Sequence, residues 1–91
     1  MKVNIKGNEI ELKYTMRSMI LFENITDKTF NPEGVTDILT YFYCVVLASS
    51  KDYTLTFDEF IDFIDDNPNI MKEFSEWLMV SVNQNNILKK N

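Results

Sequence analysis

The sequence predicts an α+β fold, mainly α, in which an N-terminal β-hairpin packs on about four helices. Three observations predict it. Residues 2–6 and 9–13 alternate apolar with polar side chains, the period of half-buried strands. Downstream, apolar residues recur at three- and four-residue intervals in four separate blocks, the period of helices. Only two Gly and two Pro interrupt the 91 residues, which leaves little room for irregular structure.

The hairpin comes first. Gly7-Asn8 lies between the two alternating runs, and such a pair is a hairpin signal. Val3, Ile5, Ile10 and Leu12 then share one face. That face needs a helix to lie on, because a lone hairpin is marginal in water. Thr15 has the chemistry of a helix cap, and a first helix over 16–26 follows, with apolar groups at Met16, Met19, Ile20, Phe22 and Ile25. Thr26 to Thr29 is a polar break, and Phe30 reads as an aromatic plug beneath that connection. Asn31-Pro32 suits a helix start, while Gly34 weakens it and moves the start to Val35.

The second helix, 35–50, is the predicted centre of the core. Val35, Ile38, Leu39, Phe42, Val45 and Val46 fall at helical spacing, and from Tyr41 the run is apolar on every side. A helix that is oily all round must be covered all round. It is too short to span a bilayer, which takes about 20 apolar residues. Thr56-Phe57-Asp58-Glu59 is a capping box that opens a third helix over 57–66. Asn67-Pro68 is expected to stop it and to cap a fourth helix over 68–84. Residues 1–84 make a single globular domain, and 85–91 are expected to fray.

The balance of charge is acidic, with fourteen Asp plus Glu against nine Lys plus Arg, net −5. That argues against duplex nucleic acid and against anionic membrane surfaces as direct partners. The absence of histidine removes the commonest general base and metal ligand. Cys44, the single cysteine, lies in the oily run and reads as a buried, inert thiol. No residue set spells out a reaction, a cofactor site or a metal site, so the expectation is a non-enzymatic protein.

Candidate partner contacts are surplus charge and surplus hydrophobicity. Asp58, Asp62, Asp65 and Asp66 fall near one face of the third helix. Like charges four apart repel, and the last two sit at the unfavourable helix end. A solvated face is the plain reading, and a basic partner surface is the functional one. Tyr41, Tyr43, Phe63 and Met79 exceed what one apolar stripe requires and complete the candidate set. The same surplus would serve self-association, so a homo-oligomer is also expected.

Three blocks carry a resemblance. Glu11 to Ser18 with Leu21 to Thr26, Lys28 and Phe30 form one; Thr36-Asp37, Tyr41 to Cys44 and Leu47-Ala48 form the next; Leu55 to Asp62 forms the third. This succession resembles the tail assembly chaperones of long-tailed (siphovirus-type) bacteriophages and prophages. Asp27 stands where members of that family often carry Gly. The resemblance implies a role in binding the tape-measure protein and recruiting tail-tube protein. It places that role in the bacterial host cytoplasm, outside the mature virion. It also implies the short form of a product that a ribosomal frameshift elsewhere extends. A small structural tail component and an acidic protein-binding decoy are the alternatives.

Overall fold

The computed structural model describes residues 1–50 and 54–85. A two-stranded antiparallel hairpin, β1 (Lys2–Ile5) and β2 (Asn8–Glu11), precedes four helices. These are α1 (Met16–Thr26), α2 (Gly34–Ser49), α3 (Phe57–Asp66) and α4 (Ile70–Asn85). The expected α+β, mainly α architecture is thus present. No helix among the described residues is long and apolar enough to cross a membrane.

The hairpin buries Val3, Ile5, Ile10 and Leu12 as the alternation requires, with Val3 opposite Ile10. Its turn differs from expectation. Ile5 pairs with Asn8, so the two-residue loop is Lys6-Gly7 and Asn8 already belongs to β2. Both loop residues have positive φ (54° and 81°), as the mirror-image turn favoured in hairpins demands. Glycine takes that conformation at no steric cost, while Lys6 is held in it by the turn. The Asn4 side chain accepts from the Gly7 N–H at 3.0 Å and helps to close the loop.

Helix α1 has the expected bounds, and Thr15 caps it by accepting from the Ser18 N–H at 3.2 Å. Its far end closes on Asp27, whose φ of 57° lies in the left-handed region and whose N–H donates to the Glu23 carbonyl at 2.8 Å. This is the backbone conformation that usually calls for glycine at a helix end. Helix α2 begins one residue early, at Gly34. The Asp37 carboxylate accepts from the Glu33 N–H at 3.1 Å and from Lys28 Nζ at 2.7 Å, so it ties the helix start to the preceding loop. The capping box on α3 is complete: Thr56 Oγ1 accepts from the Glu59 N–H, and the Glu59 carboxylate accepts from the Thr56 N–H.

Asn67 does not cap α4. Its side-chain amide donates back to the Phe63 carbonyl at 2.8 Å, which closes α3 instead. Pro68 and Asn69 form a turn, and α4 starts at Ile70 with the Asn69 carbonyl accepting from the Glu73 N–H at 3.2 Å. The fourth helix therefore starts two residues late and reaches Asn85, and the rest of the expected frayed tail lies outside the described residues.

The core is built on α2. Thr40, Tyr41, Phe42, Cys44, Val45 and Val46 are all buried, while Val35, expected in the same stripe, is 77% exposed. Phe42 stacks flat on Phe74 of α4 at 4.1 Å and meets Phe60 of α3 edge-on at 5.1 Å. Tyr41 turns the other way, toward Phe22 of α1 and toward Phe30, the expected plug, at 4.8 Å. Adjacent residues of one helix thus hold three others, and aromatic pairs of this kind add about 0.5–1.5 kcal/mol each beyond burial.

Tyr41 is fully enclosed, so its hydroxyl must find a partner. It meets Ser18 Oγ at 2.8 Å, and Ser18 Oγ lies 2.6 Å from the Thr15 carbonyl. A carbonyl only accepts, so the serine proton goes to Thr15 and the phenol proton to the serine. Removing the serine hydroxyl leaves the phenol buried and unpaired, whereas removing both hydroxyls does not. Ser18→Ala is therefore expected to cost about 1–3 kcal/mol in a urea titration, and Tyr41→Phe about 0.5–1.5 kcal/mol. The double variant is expected to fall well short of their sum, and full additivity would show the two hydroxyls to be uncoupled.

Candidate interaction surfaces

The Ser18–Tyr41 contact sets the rotation of α1, and with it the character of the molecular surface. The inward face of α1 carries Ser18 and Phe22. Met16 (68% exposed) and Ile20 (52%) point outward, one turn apart, with Ile25 exposed beyond them. Of the apolar residues read on this helix from the sequence, Met16, Ile20 and Ile25 are exposed, Met19 is half-buried and Phe22 is buried. Next to this ridge a cleft of about 410 Å³ opens between α1 and α2, lined by Arg17, Leu21, Leu47 and Ala48.

A second apolar surface lies between the α1–α2 loop and the C-terminal half of α4. It is a groove of about 410 Å³ lined by Tyr14, Phe30, Asn31, Pro32, Ile38, Ser75, Leu78, Met79 and Val82. No lining residue carries a formal charge. Helix α4 repeats the logic of α1 on a smaller scale: Ser81 is buried, donating to the Trp77 carbonyl at 2.9 Å, while Met79 and Val80 stand exposed.

The candidates chosen from sequence separate into three groups. Tyr41 belongs to the core and presents no contact surface, and Phe63 is buried as well, although it lines the cleft beside β1, a correction that follows from the packing of α2 against α1 and α3. Tyr43 is half-buried; its hydroxyl donates to the Leu55 carbonyl at 2.6 Å and its ring meets Phe57 edge-on at 5.2 Å. It ties α2 to the approach of α3. Asp58, Asp62, Asp65, Asp66 and Met79 are exposed. None of those four aspartates forms an ion pair with a described residue. Two of them, Asp62 and Asp66, border a shallow cleft of about 280 Å³ beside β1, together with Lys6 and Glu59.

Sequence reasoning named Met16 and Ile20 as apolar groups of the first helix and left them out of the candidate contacts. A signal was present: a tyrosine inside an oily helix requires a buried hydroxyl or carbonyl partner, and Ser18 is spaced one turn from Phe22. Cys44 is buried, and burial pushes its thiol up to about 11, away from nucleophilic use. Among the described residues no three carboxylate or thiol groups converge as metal ligands would. No family model, curated protein or solved structure matches the chain.

Electrostatics join the hairpin to α3. Lys6 of the hairpin turn hydrogen-bonds the Glu59 carboxylate, which also accepts from the Thr56 N–H. Those contacts, the lysine first, hold the Glu59 carboxyl down to about 2 against a partial opposing effect of burial. A carboxyl depressed in the folded state contributes stability above its unfolded value, near 4.5, which is lost as pH falls toward 2. Urea midpoints of the parent are therefore expected to drop over that window more steeply than those of Glu59→Gln. Parallel pH profiles for the two proteins would contradict the assignment.

Proposed function

We propose that this chain is a non-enzymatic tail assembly chaperone of a long-tailed bacteriophage or prophage. It acts in the bacterial cytoplasm by binding the tape-measure protein and aiding tail-tube assembly, and it is left out of the finished virion. The observation that carries the reading is the outward apolar ridge of α1, where Met16 and Ile20 are displayed while Ser18 is turned inward. A protein that shields long apolar helices needs such a surface, and methionine suits it because its unbranched side chain adapts to varied partners. The exposed carboxylates of α3 and the net charge of −5 add a solubilising surface. Asp27 departs from the resembled family, which often carries glycine there, although it takes the left-handed conformation that glycine favours at a helix end.

The test is co-expression with the tape-measure protein of the same phage genome. The soluble fraction of the tape-measure protein is expected to rise several-fold with this chain. Met16→Lys/Ile20→Lys should abolish most of that gain, while circular dichroism stays native because both side chains are outside the core. Equal insolubility with and without the chain would remove the reading. Detection of the chain in purified virions would favour a structural tail component instead.

A further inference from the structure

We infer that residues 28–33, the connection between α1 and α2, form a strap latched by two carboxylates, Glu23 and Asp37, which lifts as one unit while the helices stay folded. Lifting withdraws Phe30 from Tyr41 and opens the adjoining groove toward the core.

The hydrogen bonds of the connection carry the inference. Among the described residues, no backbone–backbone hydrogen bond outside the helices reaches residues 28–33. Side chains of the flanking helices hold the strap instead. The Lys28 N–H donates to Thr26 Oγ1 at 3.3 Å, the Phe30 N–H to the Glu23 carboxylate at 2.6 Å, and the Glu33 N–H to the Asp37 carboxylate at 3.1 Å. Lys28 Nζ donates to the same Asp37 at 2.7 Å, and the lysine first, then the Glu33 N–H, hold that carboxyl below the usual carboxylate range. Asn31 Nδ2 lies 3.5 Å from the Glu33 carboxylate, a link within the strap itself. All of these contacts are exposed, so water competes for each partner and release leaves none of them unpaired.

The strap is set off at both ends by a residue in the left-handed region, Asp27 (φ 57°) and Gly34 (φ 77°). A Cβ built at Gly34 would meet nothing within 4 Å, so the backbone there is unconfined. Between these pivots Phe30 reaches the core, its ring centroid 4.8 Å from Tyr41 and 5.6 Å from Phe22. Phe30, Asn31 and Pro32 are also the strap's share of the groove wall. The core keeps its own polar bonds when the strap lifts: the Asp27 N–H still closes α1 on the Glu23 carbonyl, and the Tyr41 hydroxyl still meets Ser18. The inference stands apart from the phage reading and needs only the purified chain.

Native-state hydrogen exchange of the full chain, read by NMR in low urea, tests it. The Phe30 and Glu33 amides are expected to share one opening constant that depends only weakly on urea, whereas the Val45 amide opens with global unfolding and follows urea steeply. Glu23→Ala should speed exchange at Glu33, and Asp37→Ala should speed it at Phe30, although each variant leaves the other amide's acceptor in place. The expected gain is about tenfold or more in each case, the effect of losing one charge-assisted hydrogen bond, with the weak urea dependence retained. Different opening constants for the two amides in the parent, acceleration confined to each variant's own amide, or a urea dependence as steep as that of Val45 would each overturn the inference. The parent measurement decides even where a variant fails to fold.

Discussion

One hydrogen-bonded chain, from the Tyr41 phenol through Ser18 Oγ to the Thr15 carbonyl, decides how the first helix lies on the second. A phenol enclosed in an apolar core without a partner costs about twice what a paired one contributes. The helix facing Tyr41 must therefore bring a hydrogen-bond acceptor inward. It brings Ser18, whose own N–H is held by the Thr15 cap, so the start of α1 and the centre of the core are one connected unit. Phe22, one turn on, follows Ser18 to the interior, and the rotation of the helix leaves Met16 and Ile20 on the outside.

That rotation has a consequence for function. A small domain has little core to spare, and leaving large apolar side chains in water forgoes about 1.5–3 kcal/mol for each one that might have been buried. The two groups displayed, the α1 ridge and the α4 lip, differ in shape. The ridge carries methionine and isoleucine in the open. The lip borders a hollow on its own face. Acidic side chains concentrate on α3, between the capping box and Asn67.

Much of this architecture is legible in the sequence. The hairpin face, the bounds of α1 and α3, the capping box and the central place of residues 40–46 follow from periodicity and cap chemistry, because those features are local. Three things do not. The turn register moved by one residue because Lys6, an unfavoured residue for positive φ, is held there by the strand pairing. Asn67 fits two local rules at once, as the end of one helix and the start of the next, and its side chain closes α3 by donating to the Phe63 carbonyl one turn back. The rotation of α1 escaped because Met16 and Ile20 lie about 120–160° round the helix from Ser18 and Phe22, and apolar residues fall on both faces. Tyr41 and Phe63 were likewise read as surplus, though the core has room for both. The hydroxyl of Tyr41 is what distinguishes the two faces of α1, and its partner is remote in sequence.

Thiol labelling at position 20 tests this account most directly. In an Ile20→Cys variant the new thiol should react with a maleimide in the folded protein at nearly the rate of an unstructured peptide, while Cys44 reacts only after denaturation. Protection of the position-20 thiol to the same degree as Cys44 would show that α1 faces the core with its apolar stripe, and the uncovered ridge would not exist.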